Sequence, residues 1–297
     1  MQSLNGLSSL PTGQPIRIVW FGESVVSDWS NPVATTTRAV MRALGQAGHD
    51  VIFHEQRNNA AMLGAMKERG SAMYRAFQSV YPDLRYRTYD LPRTSPERTV
   101  WLARETAIAE ALIVQDSAPA EVIEWLNRFS APSIVTIYQR TRTTRRDVEP
   151  QADLVLSPVP SDDALFFGPA VLPAPGMTAN EREGEFTVVY SGMKEANGRT
   201  VAAGPSNPGL AFIPEVRLIE EYARLKRVTI VDAEPSQFAI ARAFLAVASG
   251  VDEVVWSSSL EHGKTVTGFD DASTQALDLV NAIVDVLAAR RVGRTPS

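Results

Sequence analysis

Short apolar, β-rich runs alternate with stretches in which apolar residues return every three or four positions, and the alternation begins at residue 16. "IRIVWFG" (16–22) predicts a strand. "NPVATTTRAVMRALGQAG" predicts a helix, with Val33, Val40, Met41 and Leu44 on one face, Asn31-Pro32 as a start signal and "QAGH" as a stop. "DVIFHE" predicts a second strand, so the chain opens on strand, loop, helix, strand, the spacing of a parallel crossover unit. Further strands are expected at "EALIVQD", "SIVTIYQ" and "ADLVLSP", with "PAEVIEWLNRF" as a helix between the first two. Between residues 56 and 110 the pattern is weaker. "AAMLGAMKERGSAMYRAFQSV" reads as helical, and "RTVWLARETAIAEA" reads as the helix before "LIVQD".

Periodicity stops at "FFGPAVLPAPGMTANEREGE" (166–185), where prolines, glycines and charges take over, as in a linker. A second alternating set follows: strand "EFTVVYSG", the turn-rich "KEANGRTVAAGPSNPG", strand "LAFI", helix "PEVRLIEEYARLK", strand "VTIVD", helix "PSQFAIARAFLAVASG", strand "DEVVWS" and a closing helix, "ASTQALDLVNAIVDVLAARR". The expected fold is α/β: two facing Rossmann-like domains, residues 14–168 and 186–292, with an interdomain cleft. Ligands in such sheets sit at the carboxyl ends of the strands.

Composition removes several chemistries. With no cysteine there is no disulfide, thiolate nucleophile or Cys-ligated metal, and His49, His54 and His262 are too few and too scattered for a histidine zinc site, so no metal is expected. A net charge of −5 gives no global case for nucleic acid. No run reads as about 18 to 20 consecutive apolar residues, and "MQSLNGLSSLPTGQP" lacks the charged start and apolar core of a signal peptide; a cytoplasmic protein without a membrane span is expected.

The opening unit lacks G-x-G-x-x-G after its first strand, which weakens a dinucleotide reading. Its loop, "GESVVSDWSN", is long and polar, and it delivers Asn31 to Thr37 at a helix N-terminus, suited to an anion or to sugar hydroxyls. "NPVATTTRAVMRALGQAGHDVIFHE", "PEVRLIEEYARLKRVTIV", "IARAFLAVASG" and "LEHGKTVTGFDDASTQALDLVNAIVDVLAA" together resemble the spore-maturation, CgeB-type glycosyltransferase-like family of the two-Rossmann (GT-B) fold, over roughly 100 residues in the family's order.

That resemblance implies a nucleotide-sugar donor site in the second domain and an acceptor site in the first, with a nucleotide-diphosphate sugar as co-substrate and no other cofactor. Ser191 and Gly192, with Lys194 and Arg199 as charge partners, would approach the diphosphate, whose negative charge grows as the sugar bond breaks. Gln237 and Arg242 belong to the implied donor set, Glu234 with Asp232 reads either as a substitute sugar or ribose ligand or as a helix-start acidic pair, and Gly22, Ser24, Trp29 and Asn31 form the acceptor set, with Trp29 as a stacking platform. There are departures. Gln237 and Leu245 stand where related enzymes carry carboxylates, and "YQRTRT" (138–143) stands where an acidic run is common.

For an inverting transfer a base must reach the acceptor hydroxyl. Asp116, after a buried strand, is the first candidate and Glu23 the second; a helix-capping role with Ser117 competes for Asp116. His54 and Glu55 end the second strand. The run "RTRTTRR" (140–146) reads first as a solvated loop and second as a phosphate or polyanion contact, and without interleaved aromatics it does not point to single-stranded nucleic acid. The functional reading is a metal-independent glycosyltransferase with an unidentified acceptor. A lapsed relative that binds nucleotide-sugar, as a homo-oligomer or beside an active partner subunit, is the alternative, and a nucleotide-sugar epimerase is a third reading.

Overall fold

The computed structural model describes residues 15–27, 32–128, 133–141, 149–171, 185–189, 199–202, 225–231, 243–244, 246–249, 251–259, 262–265 and 271–291. Chain contacts group into two units, one of Met1–Ser27, Met41–Gly168 and Ser273–Ser297, the other of Asp28–Val40 and Pro169–Ala272.

The first unit is a Rossmann-like α/β sheet. Its strands are β1 (Arg17–Gly22), β2 (Asp50–Gln56), β3 (Arg85–Tyr89), β4 (Ala111–Gln115), β5 (Val135–Gln139), β6 (Leu154–Ser157) and β7 (Leu165–Phe166). They lie in the order β3-β2-β1-β4-β5-β6-β7, and every pair is parallel. The order reverses between β1 and β4, which makes their carboxyl ends the topological switch point. β4 and β5 are buried at every position, as continuous apolar runs in a sheet covered on both faces require. One face carries Val19, Phe21, Leu112 and Val114, packed with Leu102 of α4 (Ser95–Thr106) and Val122 and Leu126 of α5 (Ala120–Arg128).

In helix α1 (Pro32–Gln46) Val40, Met41 and Leu44 of the expected stripe are buried and Val33 is half-buried, while Thr35, Thr36, Thr37 and Arg38 are buried as well, so the first turns are covered on more than one face. The predicted helix over 60–80 is two helices, α2 (Ala60–Arg69) and α3 (Ala72–Val80). Gly70 separates them at φ +54, a left-handed conformation that costs a side-chain-bearing residue more, while its N–H closes α2 on the Met66 carbonyl at 2.9 Å. Helix α4 starts before the expected Arg98 because Thr94 and Glu97 form a reciprocal capping box. Strand β3, "RYRTY", was not expected. It is an edge strand with exposed arginines, so it lacks the apolar run that marks its neighbours.

The closing helix, α6 (Ala272–Arg291), buries Ala276, Leu279, Val280, Ile283 and Val286, a stripe at helical spacing. Residues Ala272–Arg290 are by length and composition apolar enough to cross a membrane, at a mean hydropathy of 1.2, a property that a helix packed in a core shares. Yet that apolarity is used in packing, and the helix end is tied to the first unit: Arg290 Nη1 donates to the Ile134 carbonyl at 2.7 Å and Nη2 to Asp153. Asp153 also accepts from the Thr136 N–H and hydroxyl, both at 2.7 Å.

The second unit holds a five-stranded sheet in the order β12-β11-β10-β8-β9, from β8 (Glu185–Val189), β9 (Arg199–Ala202), β10 (Arg227–Val231), β11 (Glu253–Ser259) and β12 (His262–Thr265). All pairs are parallel except β11 with β12. Val228, Ile230, Ala243, Ala246 and Val254 form its core. Strand β9 lies within the stretch read as turn-rich, and the expected strand "LAFI" falls outside the described residues.

Gly22 shows how tightly the first sheet is closed. A Cβ there would lie 2.0 Å from Gln115 Oε1 and 2.6 Å from Phe53 Cζ, within a packed interior. Gly22→Ala is expected to lower stability by about 1 to 3 kcal/mol, the usual cost of overpacking; an unchanged urea midpoint would show that the ring and the amide move aside freely.

Candidate functional site

Polar side chains gather at the carboxyl ends of β1, β2, β4 and β5, and the most constrained of them is Glu55. It ends the apolar part of β2 and has no solvent exposure. A buried carboxylate requires donors, and the loop after β1 supplies them. The backbone N–H groups of Val25 and Val26 donate to Oε2 at 2.9 and 2.7 Å, and the Ser27 hydroxyl donates to Oε1. Asn59 Nδ2 approaches Oε1 at 3.5 Å while donating to the carbonyls of Glu23 and Gln56, both at 2.7 Å. Its Oδ1 accepts from the Met62 N–H at 2.7 Å, which makes Asn59 the N-cap of α2. Burial pushes the Glu55 pKa up, and the Ser27, Val25, Val26 and Asn59 donors pull it back.

This arrangement explains the missing glycine-rich turn. In a dinucleotide unit the first loop turns its N–H groups toward a phosphate. Here two consecutive N–H groups of that loop already hold the chain's own carboxylate.

Around this core stand the expected acceptor residues. Gly22 faces Gln115 and Phe53, as above. Ser24 is buried, its hydroxyl 3.1 Å from that of Ser27. Glu23 is half-buried, and its N–H donates to Gln115 Oε1 at 3.2 Å. Gln115 Oε1 also lies 3.4 Å from the Ser117 hydroxyl, so this one amide joins the β1 loop to the end of β4. Asp116 is buried; its N–H donates to the Gln139 carbonyl at 2.8 Å and its Oδ1 accepts the Thr141 hydroxyl. Gln139 Oε1 in turn accepts the indole N–H of Trp20 at 3.0 Å.

Arg140 opens the basic run but is not a solvated charge. It is buried and makes a two-pronged bond to Glu149, with Nε to Oε1 and Nη2 to Oε2 both at 2.8 Å, and a second contact with Asp163 at 3.0 Å. Its pKa is raised, first by the bond to Glu149 and then by that to Asp163. Trp29, Asn31, Ser191, Gly192, Lys194, Glu234, Gln237 and Arg242 lie outside the described residues, as do Leu245 and the run's other arginines. The backbone of Arg199 begins β9, opposite Phe186. Among the described residues no group of three or more His, Asp or Glu is placed to hold a metal ion.

Sequence reasoning did not single out Asn59, Gln115, Gln139 or Thr141. The available signal was positional: each lies at or just beyond a predicted strand end.

His54 points to the opposite face of β2, its ring 4.7 Å from that of Phe21 and near Tyr89 and Trp101. Neither His54 Nδ1 nor the Tyr89 hydroxyl has a hydrogen-bond partner among the described residues. Burial lowers the His54 pKa to about 4, opposed by Glu105 and assisted by Arg87.

No protein-family model matches the chain, and no curated protein matches it. Among solved structures it is similar to the spinosyn forosaminyltransferase SpnP, with a TM-score of 0.38 and 10% identity over 95% of this chain and 96% of that one.

Two predictions follow from strand β2. Replacing Glu55 with Ala leaves the Val25 and Val26 N–H groups buried without an acceptor and should cost at least about 2 kcal/mol. Glu55→Gln keeps one carbonyl oxygen for both and should cost less; equal urea midpoints for the two variants would refute this account. His54 is neutral in the fold, so the stability it contributes is full above the unfolded pKa of 6.5 and is lost as pH falls toward about 4. His54→Phe should therefore gain on the parent by about 2 kcal/mol between pH 7 and 5, read from urea unfolding at each pH; a pH-independent difference would overturn it.

Proposed function

We propose that the chain is a metal-independent glycosyltransferase that moves a sugar from a nucleotide-diphosphate sugar to an acceptor, with the acceptor on the first unit and the donor on the second. The observation that carries the reading is the chemistry of the switch point. Glu55 consumes the Val25 and Val26 N–H groups, so what gathers at the strand ends of the first sheet is carboxylates, amides and hydroxyls: Glu23 and Thr141, half-buried, with Asp116 and Gln115, which are buried. Such a set suits a hydroxylated acceptor better than a phosphate. In this reading Asp116 accepts the proton of the attacking hydroxyl, with Thr141 fixing the carboxylate and Glu23 as the second acid. Gly22, Ser24, Trp29 and Asn31 shape the acceptor site.

The donor side rests on the resemblance to the CgeB-type family. In this reading Ser191, Gly192, Lys194, Arg199, Glu234, Gln237 and Arg242 bind the nucleotide and diphosphate. The second reading, a lapsed relative that binds nucleotide-sugar for a partner subunit, is favoured by Gln237 and Leu245 in place of carboxylates.

A panel of nucleotide-diphosphate sugars, followed by thermal shift and then by release of nucleotide diphosphate, tests both. A donor that raises the melting temperature and is consumed supports the transferase, whereas one that binds without turnover supports the lapsed relative. Failure of every donor to bind removes both. With a working donor, Asp116→Asn should slow transfer by about 10² to 10⁴-fold and leave donor affinity unchanged. Arg242→Ala should weaken donor binding by about 1.5 to 3 kcal/mol, as for a hydrogen bond to a charged group, measured by calorimetry. A lowered melting temperature with unchanged affinity would assign Arg242 to the fold.

A further inference from the structure

The open side of β3 carries a second binding feature, independent of the switch point. A groove of about 540 Å³ runs along this edge, lined by Arg85 and Arg87 from one face of the strand and by Tyr86, Thr88, Tyr74 and Gln78 from the other. Its lining comes from both faces of β3 and includes Leu84 before the strand and Ile52 of the neighbouring β2.

Pairing with β2 fixes which backbone groups of β3 turn outward. Tyr89 turns its carbonyl inward, where it accepts the Arg57 N–H at 2.8 Å. Backbone direction alternates along a strand, so Arg85 and Arg87 also turn their N–H and C=O groups toward β2, and Tyr86 and Thr88 turn theirs outward. Among the described residues no strand lies beyond β3 in the sheet.

The arginines are two residues apart on one face, and each side chain is 60% exposed. Among the described residues each is held at Nη1 alone, Arg85 by Asp50 and Arg87 by Glu105 at 2.6 Å. In neither side chain do Nε and Nη2 make a hydrogen bond among those residues, which leaves donors for a second carboxylate. The same chain already builds a guanidinium between two acids, Arg140 between Glu149 and Asp163.

We infer that β3 is a docking edge for an extended acidic peptide segment of a partner protein. The segment adds as a further strand on the outward groups of Tyr86 and Thr88, with acidic residues two apart facing Arg85 and Arg87. On its other face, alternate side chains meet Tyr86 and Tyr74, whose rings are parallel to within 2° at 6.4 Å. An isolated anion would use the arginines but not the backbone edge, and this difference is what the test reads.

An end-blocked, fluorescein-labelled peptide of about eight residues, enough to span β3, alternates glutamate and valine. It is titrated with the full chain by fluorescence anisotropy, beside a peptide of the same composition with its glutamates contiguous. The alternating peptide is expected to bind about tenfold tighter or better. Thr88→Pro removes an outward N–H without breaking a bond to β2, and should weaken binding about tenfold, whereas Thr88→Val should leave it unchanged. Arg85→Gln with Arg87→Gln should weaken it as much, and this variant leaves the backbone untouched should Thr88→Pro lower the melting temperature. Equal binding of the two peptides, absence of saturable binding by the alternating one, or affinity indifferent to the double arginine variant overturns the proposal.

Discussion

A carboxylate without solvent contact has to be surrounded by donors, and in the first unit this requirement sets the geometry of everything at the switch point. Glu55 sits where β2 leaves the sheet and draws in two backbone N–H groups and a hydroxyl from the loop after β1. Asn59 then fastens the start of α2 to the same loop through the Glu23 carbonyl. Residues 23–27 of that loop are therefore not a free connection but are held from inside. Glu23 and Ser24 owe their positions to this hold, and Gln115 locks the loop to β4 through the Glu23 N–H. Removal of the Glu55 side chain would take the acceptor away from the Val25 and Val26 N–H groups and from Ser27 together.

Strand β2 buries two titratable side chains in succession, on opposite faces, and burial acts on them with opposite sign. His54 is held neutral and Glu55 is pushed toward its neutral form. For His54 the folded pKa is depressed, so its contribution falls as the pH drops from 6.5 toward 4. For Glu55 the folded pKa is raised, so its contribution is full below the ordinary carboxylate range and falls as pH rises through the folded value. Across mildly acidic pH the two therefore oppose each other. The parent chain should show a flatter stability profile than either site would give alone, because desolvation penalises the charged form of each group whatever its sign.

What could be read in the sequence follows from what each residue does for the core. β1, β4 and β5 are apolar because both faces of a central parallel strand are covered, so "RIVWFG", "ALIVQ" and "VTIYQ" announce themselves. β3 borders solvent, and "RYRTY" carries arginines that mimic a polar loop. The break in the 60–80 helix was visible only as Gly70 in an otherwise helical pattern, a residue that helices tolerate. Asp116 and Glu23 could be named because an acid after a buried strand is conspicuous. Gln115 and Gln139 could not, because their amides act within strands as links between neighbouring strand ends, and single-sequence periodicity carries no information on which strands become neighbours. Arg140 was hidden for the same reason: Glu149 and Asp163 reach it only through the fold.

Pairing geometry, rather than the number of cations, decides which arginines of this acidic chain remain available to a ligand. Arg140 has a carboxylate on each side and is buried, so recruiting it to an anion would strip a buried charge of its partners. Arg290 is spent on a carbonyl and on Asp153, holding the closing helix. Neither can be counted toward substrate binding, although "RTRTTRR" invites it. Arg85 and Arg87 differ in kind: each has a single carboxylate at Nη1, sits at a strand edge and can extend its hydrogen bonding without losing what it has. A guanidinium presents five donors in a fixed fork, so one-sided pairing leaves the fork oriented rather than exhausted. An orienting acid of this kind reduces the conformational freedom lost when a second acid arrives, which makes a half-paired surface arginine a better recognition element than one with no partner at all.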